Sequence, residues 1–115
     1  MSKRDKLLYI EDILDSSKAI KEYIDGMTFD EFVSDRKTYS ATIREYIIIG
    51  EAVSSLIDIA EEKIPDYPWR MIKDFRNFIV HEYFGVDGKI IWDLTTQELD
   101  IMVRNIESLK DDLYE

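Results

Sequence analysis

The stretch RNFIVHEYFGVD, residues 76–87, carries the only histidine of the chain, with an arginine five positions before it and a tyrosine two after. Imidazole is the side chain whose ordinary titration lies nearest neutrality, so His81 is a candidate to take up and return protons. A guanidinium is permanently charged and can grip phosphate oxygens two at a time, which makes Arg76 a candidate to hold a phosphodiester and stabilise charge developing on it. Asn77 lies four residues before His81 on the same helical face, where its amide could fix the imidazole tautomer. These groups suit cleavage of RNA by attack of its own 2′-hydroxyl, a reaction that needs a proton acceptor and a proton donor. One chain supplies one histidine. A two-fold dimer, which sets the same helix of each protomer face to face, supplies two.

On a helix turning about 100° per residue, Met71, Ile72, Phe75, Phe78 and Ile79 are expected on the core face, with Lys73, Arg76, Asn77, Val80 and His81 opposite. Arg76 and His81 then stand about 140° apart and flank Val80. Their convergence needs a long arginine reach or a second chain. Simpler roles compete for each residue. A histidine in the last turn of a helix also complements the helix dipole, and a tyrosine at a helix end, as Tyr83 would be, often packs its ring and leaves the hydroxyl wet. Trp69 and Trp92 read as packing anchors, although Trp69 beside Arg70 could also stack on a base.

The elements that must position these residues are helical. Leu7, Ile10, Ile13, Leu14, Ile20 and Ile24 fall on a period near 3.6, and DGM at 25–27 breaks the run. TFDE at 28–31 has capping-box spacing and predicts a short second helix. Tyr39, Ile43, Tyr46, Ile47, Ile49, Val53, Leu56, Ile57 and Ala60 then mark a long third helix. Pro65 and Pro68 punctuate the next segment, and Pro68 suits the first turn of the helix bearing Arg76 and His81. FGVDG at 84–88 is expected to turn. TTQE at 95–98 repeats the capping-box pattern and predicts the start of a last helix, with Leu99, Met102, Val103, Ile106, Leu109 and Leu113 as its apolar stripe. No segment alternates long enough to build a sheet, so the expected fold is all-α: an up-and-down bundle of four main helices plus short ones, in one domain over residues 1–115.

Composition narrows the function classes. The chain of 115 residues is 45% hydrophobic and 35% charged, as expected of a small globular domain with many solvated helical faces. Twenty-five acidic against fifteen basic residues give a net charge of -10, which disfavours broad nucleic-acid binding. The basic residues gather where chemistry is expected: residues 63–76 hold Lys63, Arg70, Lys73 and Arg76 against Asp66 and Asp74, while residues 93–115 hold seven acids against two bases. There is no cysteine, so disulfides and thiolate metal sites are excluded. The apolar run YIIIG at 46–50 is far too short to span a bilayer and no charged-then-apolar leader is seen, which together suggest a cytoplasmic protein with no membrane partner. A di-iron bundle would need Glu where Phe78 stands, HExxH is absent, no glycine-rich phosphate loop exists, and no metal or cofactor is expected.

Arg76, four residues, His81, one residue and Tyr83 resemble the RX4HXY signature of the HepT-like branch of the HEPN superfamily. YIEDILDSSKAIKEYI, IIIGEAVSSL, PWRMIKDFRNFIVHEYFGVD and IIWDLTTQELD are also similar to that family, so the resemblance covers nearly the whole chain. It implies a HEPN-like all-α homodimer acting as a metal-independent endoribonuclease in a composite cleft, the toxin of a type II/VII-like toxin–antitoxin pair. It further implies that Arg76 and His81 are the catalytic pair, that Asn77 supports them, and that Tyr83 receives AMP from a cognate MNT minimal nucleotidyltransferase, the antitoxin. A bulky anion there would block the cleft and repel RNA. The other reading left open is a catalytically silent helical dimer that binds a nucleotidyltransferase or a nucleotide.

Overall fold

A computed structural model of the chain describes residues 1–82 and 87–114. Its elements, in order, are α1 (Lys3–Ile24), α2 (Phe29–Ser34), α3 (Arg36–Lys63), α4 (Trp69–His81), α5 (Gly88–Asp93), a π-helical turn (Leu94–Glu98) and α6 (Leu99–Tyr114). The architecture is an all-α, HEPN-like bundle in which α1, α3, α4 and the composite last helix are the main members.

Local chemistry sets the helix ends. Ser2 Oγ accepts from Asp5 N and the Asp5 carboxylate accepts from Ser2 N, which closes a capping box on α1. Gly26, at φ 75°, lets the chain leave α1 through a left-handed turn. The predicted box at Thr28 forms with Glu31, and those hydrogen bonds from Thr28 hold the Glu31 carboxyl below its ordinary value. Asp35 caps α3 by accepting from Thr38, through both its amide and its hydroxyl, which lowers the Asp35 carboxyl in the same way.

The apolar stripes meet as their periods require. Ile10, Ile13 and Ile20 of α1, Ile49, Val53 and Leu56 of α3, and Ile106 and Leu109 of α6 are buried together with Phe32 and Ile91. Each such side chain contributes about 1.5–3 kcal/mol over leaving it in water. One carboxylate lies among them. Glu45 of α3 is buried but accepts from Ser16 Oγ (3.1 Å) and Tyr23 Oη (2.7 Å), so its polarity is answered across the α1–α3 seam. The same hydrogen bond raises the Tyr23 hydroxyl pKa.

Two expectations from the sequence are corrected here. TTQE at 95–98 does not start a helix, because the chain is already helical from Gly88 and runs through a π turn into α6. The Thr95 hydroxyl donates to Ile91 O (2.8 Å) and meets Tyr46 Oη (2.6 Å) instead of capping. Pro68 stands one residue earlier than expected, as the N-cap of α4 and not within its first turn. Of FGVDG, residues 84–86 lie outside the described residues; Asp87 caps α5 by accepting from Lys89 N.

Candidate functional site on α4

α4 is fastened to α3 at several points. Trp69, buried at its start, donates from Nε1 to Ile64 O (2.9 Å) and meets the Tyr67 ring edge-on. Burial pushes the Tyr67 hydroxyl up to about 12, with the Glu98 carboxylate adding to it. Two ion pairs then fix the direction: Arg70 with Glu61 and Arg76 with Glu51, each 3.1 Å. Moving forward along α4 thus moves backward along α3, so the two helices are antiparallel.

At the second ion pair the helices nearly touch. Residue 50 is glycine, and a Cβ there would overlap Arg76 Cβ and lie 2.6 Å from Arg76 Cγ. The stem of Arg76 therefore lies on bare α3 backbone. Its head is held from two sides: Nη1 donates to Asn77 Oδ1 (3.0 Å) and Nη2 to Glu51 Oε1 (3.1 Å). The Arg76 side chain is 30% exposed and that of Glu51 58%, so the ion pair looks outward above a covered stem. Arg76 Nε is buried and has no hydrogen-bond partner among the described residues. Leaving such a donor unmade costs about 1–3 kcal/mol, a cost borne where the cation is held in one orientation.

His81 closes α4 and is exposed, with no side-chain hydrogen bond among the described residues. No bond from Asn77 to the imidazole is seen among the described residues; the Asn77 oxygen accepts instead from the neighbouring guanidinium, a charge-assisted bond. Tyr83 lies outside the described residues. Arg76 and His81 are not brought together within one chain by any contact seen.

The face around them also differs from expectation. Ile79 is buried and Ile72 and Phe75 are half-buried, but Met71 and Phe78 are 67% and 42% exposed. Seating Arg76 on Gly50 rolls α4 toward α3, so Met71 and Phe78 leave the core edge. On the helical wheel Asn77 and His81 now lie between two exposed apolar side chains, Phe78 on one side and Val80 on the other. Two surface grooves of about 590 and 580 Å³ lie elsewhere, one lined by Lys18, Lys21 and Asp100, the other by Tyr67, Met71 and Ile101; neither contains Arg76 or His81. Among the described residues no three His, Cys, Asp or Glu side chains gather where an ion could be held, and no helix is long and apolar enough to cross a membrane.

Gly50 and Glu51 are the site residues that sequence reasoning missed. The Gly50 contact has a measurable consequence. Alanine gains up to about 1 kcal/mol over glycine in a helix interior, but overpacking against an immobile Cβ costs about 1–3 kcal/mol. Gly50→Ala is expected to lower the urea midpoint. A more stable variant would contradict the packing of Arg76 on residue 50.

The sequence profile of the family described as "Ribonuclease HepT-like" matches residues 13–109, a span that includes Gly50, Arg76 and His81. The chain is 37% identical to "Putative RNase MJ0127" of Methanocaldococcus jannaschii, over 98% of this chain and 93% of that one. It is 32% identical to "Probable ribonuclease HepT" of Thermococcus cleftensis, over 94% and 98%, and 35% identical to "Putative RNase TTE0752" of Caldanaerobacter subterraneus subsp. tengcongensis, over 88% and 90%. No solved structure matches the chain. With a helix that presents a held arginine and an open histidine in a span the family profile covers, the chain belongs to the HepT-like ribonuclease family.

Proposed function

We propose that the protein is a metal-independent endoribonuclease, the toxin of a HepT–MNT toxin–antitoxin pair, with its working site completed by two copies of α4 across a two-fold axis. The observation that carries this reading is the outer face of α4. Arg76 is oriented by two partners, His81 is exposed with no side-chain hydrogen bond among the described residues, and the apolar side chains beside it, Phe78 and Val80, are exposed in the single chain. A second copy seated there would cover them and bring a second imidazole to the first.

In this reading one imidazole takes the proton of the 2′-hydroxyl as its oxygen attacks phosphorus. The other gives a proton to the departing 5′-oxygen, leaving a 2′,3′-cyclic phosphate and a free 5′-hydroxyl. The Arg76 guanidiniums hold the non-bridging oxygens, on which negative charge accumulates. Regulation follows from Tyr83: its phenolic oxygen attacks the α-phosphorus of ATP on the MNT partner, pyrophosphate leaves, and the proton passes to solvent. The product places an anion two residues from His81.

The test is cleavage of total RNA by the purified protein in EDTA, read across salt, together with the mass of the protein co-expressed with a minimal nucleotidyltransferase. Cleavage in EDTA is expected, with 2′,3′-cyclic termini. Contact with about two phosphates already implies about a sevenfold loss of binding between 50 and 200 mM salt. An adenylyl adduct at Tyr83 is expected on co-expression. No cleavage of any RNA would favour the silent dimer, and salt-indifferent cleavage would contradict the role given to Arg76.

A further inference from the structure

We propose that Glu51 is a positioning residue of the reaction, its carboxylate fixing the guanidinium plane of Arg76 so that the remaining N–H groups face the phosphate. The inference rests on the ribonuclease reading above.

A surface arginine is ordinarily free to move. Its long stem is mobile, and its head samples many directions. Here three contacts remove that freedom. The stem is pressed on Gly50, Nη1 is tied to the next residue on α4, and Nη2 is tied to Glu51 on α3. Asn77 moves with α4, so among the described residues it is Glu51 that sets the head relative to the neighbouring helix. Each Nη carries two protons. Bonds to Asn77 and Glu51 use one apiece, and the other of each pair stays available for a phosphate oxygen.

Stability gives no comparable reason for this glutamate. An ion pair whose carboxylate is 58% exposed contributes little to folding. A carboxylate is also an unwelcome neighbour for RNA, since it repels the phosphate that Arg76 must attract. Its presence is explained if orientation of the guanidinium matters more to the transition state than net charge matters to binding. The two effects separate by substitution, because Gln keeps an acceptor oxygen and loses the charge.

Steady-state cleavage is to be measured for the full-length wild type, Glu51→Ala, Glu51→Gln, Arg76→Ala and the double Glu51→Ala, Arg76→Ala variant, with melting midpoints alongside. Glu51→Ala is expected to lower kcat by about 10–100-fold, with KM changed less than about threefold. Glu51→Gln is expected to keep kcat within about fivefold of wild type and to bind RNA more tightly, since repulsion is gone. In the Arg76→Ala background, Glu51→Ala should change kcat by less than about twofold, because a group acting through Arg76 has nothing left to position. Wild-type kcat in Glu51→Ala, an equal further loss in the double variant, or a loss that follows a falling melting midpoint overturns the proposal. If Arg76→Ala is inactive while Glu51→Ala is normal, only this inference fails. Full activity of Arg76→Ala would remove the role given to Arg76 and this inference with it, whereas no cleavage by the wild type would remove the ribonuclease reading itself.

Discussion

Replacing His81 by alanine is expected to lower RNA cleavage by about 10²–10⁴-fold, the span that general acid–base groups supply. Folding should be nearly unaffected. The side chain closes α4, is exposed, and makes no side-chain hydrogen bond among the described residues, and a surface substitution of that kind shifts stability by less than about 0.5 kcal/mol. The pairing of a large kinetic loss with an unchanged melting midpoint is the informative result, because it separates chemistry from support. His81→Gln keeps a polar side chain of similar reach but cannot carry a proton, so it should be as inactive as alanine. Cleavage by either variant at the wild-type rate would show that His81 does no proton transfer.

Arg76 differs because it is part of the fold as well as of the chemistry. Losing its grip on the phosphate is expected to cost about 10²–10³-fold in kcat, about 2.7–4 kcal/mol. Stability faces two opposed changes in Arg76→Ala. Uncovering the stem's methylenes over Gly50 costs roughly 1–2 kcal/mol, while removing the buried Nε, which has no partner among the described residues, recovers about 1–3 kcal/mol. The expected net shift is small. Arg76→Lys sharpens the test, since lysine keeps a stem over Gly50 but has a single point of charge. It cannot serve Asn77, Glu51 and a phosphate with one planar fork, so it should be almost as slow as alanine. A lysine variant near the wild-type rate would mean that charge alone suffices.

Most of the fold could be read from the chain because its signals are local. The stripes of α1 and α3 follow a helical period, and Thr28 caps α2 in a box with Glu31 as its spacing suggests. Thr95 shows where locality ends. It has the same T-x-x-E pattern, but Thr28 follows a chain reversal at Gly26, whereas Thr95 sits in a helix already running from Gly88. Spacing within four residues cannot report whether the residues before them are helical.

The site was legible in kind and not in arrangement. Arg76, Asn77 and His81 stand out by type and spacing on one helix. Their partners depend on which residue of α3 lies opposite. Glu51 gives no periodic signal, being one more glutamate on an exposed helical face. Gly50 becomes meaningful only when the Arg76 stem is found across it. The roll of α4 that exposes Met71 and Phe78 has the same origin, for a wheel orders residues around a helix but does not fix the direction of the core.

Whether two copies of α4 meet to form one site can be read from cross-linking at Val80. That side chain is exposed and lies between Arg76 and His81 around the helix, and the chain has no cysteine of its own. With Val80→Cys and a short bis-maleimide, a covalent pair of chains is expected in high yield, at dilutions where Glu107→Cys, at an exposed position of α6, stays single. A Val80→Cys chain that remains single while the unmodified protein still cleaves RNA would contradict it.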